Sequence, residues 1–167
     1  SGFNLKATEK KTKKEVFIRV YSESLRVKDF YTNFQGLNVV SALKHPGTVQ
    51  IQGFRYPLND QEKKQTKLLK IECKDERRNT VEVDVTGFIL IFEFMKNGSI
   101  EYAVSEYLKT GGQNQDKMNP TIRSKIIFGI ASTMKIIHQK NAIHRDLKLQ
   151  NIYLDENFEP RIEGFYL

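Results

Sequence analysis

The sequence predicts an α+β fold, with strands gathered in the first part of the chain and helices in the second. Residues 15–21, EVFIRVY, and 88–94, FILIFEF, are rich in β-branched and aromatic types, as strands are. Between 28 and 43, and again between 119 and 140, apolar residues recur at three- and four-residue spacings, the period of a helix with one buried face. At 167 residues and 39% apolar content, the chain is long enough for one sizeable core, or for one lobe and part of another.

Taken in order, the strand at 15–21 follows a Lys-rich turn. Phe30, Phe34, Leu37, Val40 and Leu43 then mark a helix that His45-Pro46 stops. TVQIQGF, 48–54, reads as a strand, and the polar residues 55–80 as a long loop. VEVDV, 81–85, alternates strictly enough for a half-buried strand and is expected to run on into FILIFEF. Asn97-Gly98-Ser99 breaks that strand, a short helix follows over about 99–109, and GGQNQDKM is a loop. Asn119 can cap the next helix and Pro120 suits its first turn. Its apolar stripe is Ile122, Ile126, Ile127, Ile130, Met134 and Ile137, ending near Lys140-Asn141. IYLD, the turn DENFEP and RIEGF then form a short hairpin.

Composition narrows the function classes. Cys73 is the single cysteine, so no internal disulfide forms and no second thiol shares a zinc ion; a reducing, cytoplasmic setting is expected. SGFNLKATEKK has no apolar signal core, and GFILIFEFM is too short to span a bilayer, so no membrane partner is expected. A net charge of +7 raises a nucleic-acid reading through Lys6, Lys10, Lys11, Lys13 and Lys14 and through Lys63, Lys64, Lys67 and Lys70. No aromatic residue interleaves with either cluster as a base-stacking surface requires, so both read as solvated segments and nucleic acid is disfavoured.

HRDLKLQN, 144–151, sits after the best-defined helix and before the hairpin, and it resembles the catalytic loop H-R-D-L-K-x-x-N of eukaryotic protein kinases. VFIRV in the place of V-A-I-K-V, LKHPGTVQIQGF and LIFEFMKNGSI extend the resemblance over nearly the whole chain. It implies an antiparallel N-lobe sheet with one helix over 1–95, beginning inside a Gly-rich loop and carrying an insertion at 55–87. The hinge and a truncated, mainly helical C-lobe would occupy 96–167, leaving apolar surface that needs a partner. Lys148, two residues after Asp146, is similar to serine/threonine kinases, with some likeness to the tyrosine-kinase-like group. The resemblance makes Asp146 the base for a substrate hydroxyl, Lys148 a neutraliser of the γ-phosphate and Asn151 a Mg²⁺ ligand. It gives Arg145 an activation-segment phosphate, and the nucleotide Phe17, Arg19, Glu93, Met95 and Tyr153.

Several positions depart from that pattern. Aligning RIEGFYL with R/K-I-x-D-F-G-L puts Gly164 where the metal-binding Asp belongs and Tyr166 where the Gly belongs. Glu163 is adjacent, but strand alternation is expected to aim it away from the phosphates. Arg19 replaces the phosphate-contacting Lys and Gly36 its helical Glu partner, so that ion pair is expected to be absent. Phe17 and Tyr153 push volume into the adenine slot, Phe92 closes its back, and Asn4 stands where a Val would cover it. His144, Leu147 and Ile152 are expected in the core whatever becomes of ATP. ATP and Mg²⁺ binding is thus expected to be weak or lost, leaving a pseudokinase that acts on a protein partner through its helix face or the 55–87 insertion. The alternatives are a kinase phosphorylating Ser or Thr of a protein substrate, and a basic binding protein.

Overall fold

The computed structural model describes residues 2–9, 11–21, 45–55, 61, 69–74, 80–85, 87–111 and 118–164. The helix expected over 28–43, with Gly36, lies outside them, as do Tyr166 and most of the expected loop at 55–80. The described strands are β1 (Gly2–Thr8), β2 (Glu15–Tyr21), β3 (Ile51–Arg55), β4 (Leu69–Lys74), β5 (Thr80–Val85), β6 (Ile89–Glu93), β7 (Ile152–Leu154) and β8 (Pro160–Ile162). Two helices, α1 (Ile100–Lys109) and α2 (Pro120–Gln139), lie between β6 and β7.

The main sheet has the order β1-β2-β6-β3, and each neighbouring pair is antiparallel. Alternation along its strands decides what faces the cleft. Phe88, Leu90 and Phe92 are buried on one face with Val49, and Phe17, Tyr21, Ile51 and Tyr153 pack against them. Val20 and Ile89 are buried on the other, against Leu5, Ile18 and Ile91. Because Phe17 and Tyr21 face the cleft, Arg19 between them does so too.

Two expectations about 55–94 are corrected. Residues 69–74 pair antiparallel with 80–85 as a separate two-stranded sheet, so part of the expected loop is a strand. Nor does β5 continue into β6, because among the described residues β5 bonds to β4 whereas β6 sits between β2 and β3. The charged residues Lys70, Glu72 and Lys74 masked the alternation of β4, whereas β5 covers the VEVDV stretch whose alternation was readable.

Below the sheet, Ser99 Oγ accepts from Tyr102 N to cap α1, and Asn119 Oδ1 accepts from Ile122 N at 2.9 Å to cap α2. Ile126 of α2 meets Ile100, Ile152 and Leu154, while Ile137 meets Ile162. Ile127 and Phe128, by contrast, are 68% and 74% exposed, so the stripe continues past the face that this chain covers. Leu147 is 44% exposed rather than in the core, because the loop turns it outward, whereas His144 and Ile152 are buried.

The two halves meet through more than the covalent link at 94–99. Val49 N donates to Ile162 O at 3.0 Å, and Ile162 N donates to Gly47 O at 2.8 Å. Gly47 has no room for a Cβ, which would strike Thr133 of α2.

Candidate functional site

The loop His144–Asn151 runs from α2 to β7, and its buried anchor is His144, 2% exposed. Asp146 N donates to its Nδ1 at 3.2 Å. Nδ1 is therefore the acceptor, and Nε2 carries the proton donated to Glu163 O at 2.9 Å. Burial holds the imidazole below its ordinary pKa, keeping it neutral.

Asp146, Lys148 and Asn151 are brought together in this loop. Lys148 Nζ lies 2.7 Å from Asp146 Oδ2, and Asn151 Nδ2 donates to both Asp146 Oδ2 and Asp146 O at 2.8 Å. The Lys148 hydrogen bond is the main influence that lowers the Asp146 carboxyl below the usual range, so it is ionised at neutral pH. Arg145 is exposed, with φ at 68°.

The larger feature was not legible. Arg19 Nη1 donates to Glu163 Oε1 at 2.6 Å and Nη2 to Oε2 at 3.2 Å, a two-pronged ion pair with Glu163 only 3% exposed. Asn4 Oδ1 accepts from Arg19 Nε at 3.1 Å and fixes the guanidinium plane. The expectation that Glu163 points away is thus overturned, whereas the expected absence of an ion pair between Arg19 and position 36 falls on residues outside the described ones. β8 ends at Ile162 and Gly164 takes φ of +102°, so alternation does not extend through Glu163. The Glu163 backbone is gripped on both sides, by His144 at its carbonyl and by Asn151 O accepting from its N–H at 2.8 Å. Only the end of the short strand signals this in the sequence.

Beside the pair lies a cavity of about 300 Å³ with apolar walls, lined by Phe17, Val49, Phe92, Met95, Tyr153 and Glu163 among others. Phe17 and Tyr153 do not fill it. Their rings stand 6.2 Å apart, and Phe17 stands 6.1 Å from Phe92, in tilted contacts that leave the slot open. Glu93 also borders it, but its Oε1 accepts from Gln50 N at 2.8 Å and its own N–H donates to Gln50 O. Burial, followed by the Glu163 charge, raises the Tyr153 phenol pKa, so its hydroxyl stays protonated.

The cavity has the shape and walls for a planar base, but the residues beyond it do not fit the metal and phosphates of ATP. Mg²⁺ takes carboxylate oxygens, often together with those of the phosphates. Position 164 has no side chain, and Glu163 is bound to Arg19. No group of three or more His, Cys, Asp or Glu suited to a metal occurs among the described residues.

Comparison with known proteins accords with this geometry. A sequence model of the protein kinase domain matches residues 1–166. The leucine-rich repeat receptor protein kinase MSP1 of Oryza sativa subsp. japonica is 31% identical over 134 residues, covering 78% of this chain and 8% of the relative. A probable L-type lectin-domain containing receptor kinase S.7 of Arabidopsis thaliana is 28% identical over 134 residues, 78% of this chain and 15% of the relative. The G-type lectin S-receptor-like serine/threonine-protein kinase SRK of the same plant is 40% identical over 80 residues, 46% of this chain and 9% of the relative. The chain thus spans a small part of each relative's length. With HRDLKLQN seated between α2 and the β7–β8 hairpin, and a match that runs almost end to end, the chain belongs to the protein kinase domain family.

Proposed function

We propose that this domain has given up phosphoryl transfer and acts through protein interaction, with 1–95 as its upper lobe and 96–167 as the hinge and part of the lower one. The carrying observation is the Arg19–Glu163 pair. The cation that would meet the phosphates is neutralised by an acid at their entrance, while Gly164 offers the metal no carboxylate. The retained loop then has a structural reason to persist, because His144 and Asn151 hold Glu163 in place. The β4–β5 hairpin and the exposed Ile127 and Phe128 are the surfaces offered to a protein partner, in the reducing, cytoplasmic setting that the single cysteine suits.

A second reading, a serine/threonine kinase acting on protein hydroxyls, is favoured by the Asp146–Lys148–Asn151 arrangement and the open cavity. Incubation with labelled ATP, Mg²⁺ and a generic protein substrate separates the two. No phosphate incorporation and no rise in melting temperature with Mg-ATP are expected. Incorporation that Asp146→Asn abolishes would establish the second reading instead.

A further inference from the structure

We propose that the Arg19–Glu163 ion pair is a clasp across the cleft, which holds the two halves in one closed arrangement through the chain's own side chains rather than through a bound molecule. It goes beyond the loss of phosphoryl transfer, because it concerns the shape of the domain whatever the chemistry in the cleft.

Both members are mounted on tethered backbone. Arg19 lies on β2, an inner strand of the main sheet, opposite Asn4 of β1 on one side and Leu90 of β6 on the other. Glu163, 144 residues further along the chain, follows β8 in the other half. There its N–H donates to Asn151 O at 2.8 Å, and its carbonyl accepts from His144 Nε2 at 2.9 Å. Glu163 lines the cavity, and so does Phe17, whose ring centre is 5.8 Å from the Arg19 guanidinium carbon. The link therefore crosses the cleft itself.

Geometry makes the link directional. Paired N–H···O bonds, at 2.6 and 3.2 Å, set the angle as well as the distance between strand and carboxylate, as the single ammonium of a lysine would not. Asn4 Oδ1, accepting from Nε at 3.1 Å, orients the guanidinium from the sheet side, and the Phe17 and Phe92 rings stand 5.8 and 5.9 Å from it. Burial then makes the link all-or-none. The side chains of Arg19 and Glu163 are 18% and 3% exposed, so a small separation leaves a carboxylate short of both its partner and water. The cleft is either shut on the pair or open far enough for water to reach both charges, which is the behaviour of a two-state device.

Thiol trapping in the 167-residue chain tests this. With Cys73→Ser removing the single native cysteine, Val49→Cys puts one thiol in the cavity wall. A maleimide carrying fluorescein, too bulky for the closed cavity, reacts there only when the cleft opens. Arg19→Met and Glu163→Gln are each expected to speed labelling at least about tenfold, the scale of one hydrogen bond to a charged group. Arg19→Lys, which keeps the charge and loses the fork, should fall between them and the parent. Opening of the cleft exposes little surface, so labelling of the variants is expected to be nearly flat across low urea concentrations, whereas unfolding rises steeply with them. The proposal is overturned if the substitutions leave the labelling rate unchanged, or if the added labelling climbs with urea as unfolding does, since the pair would then hold the fold and not the cleft. Neither outcome depends on phosphate incorporation, which tests the loss of phosphoryl transfer separately.

Discussion

At the level of single residues, the Arg19–Glu163 pair should behave as a buried charge pair does. Arg19→Met strands a carboxylate that is 3% exposed, and is expected to cost about 3–5 kcal/mol in urea unfolding. Arg19→Met with Glu163→Leu should recover most of that loss, since replacing both members removes the stranded charge. If the double variant is as weak as the single one, the pair is not the source of the loss. Gly164→Asp tests whether a missing carboxylate can simply be put back. Its φ of +102° disfavours any L side chain, and a Cβ there would lie 3.1 Å from Asn151 Nδ2. The expected outcome is a loss of about 1–3 kcal/mol with no Mg²⁺ binding in a competition titration. His144 gives the pH dependence. Its folded pKa is depressed by burial, so the unfolded chain takes up a proton first as pH falls. Stability is therefore complete above about pH 6.5 and declines below it, and His144→Gln should flatten that part of the melting profile. At this scale the sequence made Asp146, Lys148 and Asn151 legible because a fixed octapeptide carries them. It hid Glu163, because its direction depends on where a three-residue strand ends.

Among the elements, α2 shows how a rule of thumb reverses in context. Replacing a mid-helix Gly by Ala ordinarily gains about 0.5–1 kcal/mol. At Gly129 a Cβ would sit 2.6 Å from Pro160 Cγ at the start of β8, so Gly129→Ala is expected to lose about 1–3 kcal/mol by overpacking. Asn119→Ala should cost about 0.5–2 kcal/mol through the lost cap, and Asn119→Ser should keep most of the stability. Circular dichroism melts of the three variants check both statements. The helices α1 and α2 were readable, and with α2 its Asn119 cap, because apolar period and terminal residues agree there. Strand β5 was readable by its alternation, but β4 was not. Lys70, Glu72 and Lys74 interrupt it, so hydropathy marks a loop, and only its pairing with β5 reveals a sheet. The opposite error joined β5 to β6, because continuous β propensity carries no information about which partner each strand takes.

On the scale of the whole molecule, the amides that join its halves should exchange as one group. Val49 N donates to Ile162 O at 3.0 Å and Ile162 N to Gly47 O at 2.8 Å, each across the two halves. Hydrogen exchange is expected to release Val49 and Ile162 together, through global opening. Gly47→Ala, which forces its neighbourhood off Thr133, should speed both by the same factor. A difference of more than about tenfold between the two amides would mean that the halves open separately. The same arrangement constrains motion in a way that the strand list alone does not suggest. A polypeptide joined at one crossing can swing like a door on a single pin, in any direction that the pin allows. Here the crossing at 94–99 is one pin, and the backbone bonds between 47–49 and Ile162 are a second. The Arg19–Glu163 ion pair is a further tie between the same halves, so any turn about those two pins that widens the cleft beside Phe17 must strain that pair as well.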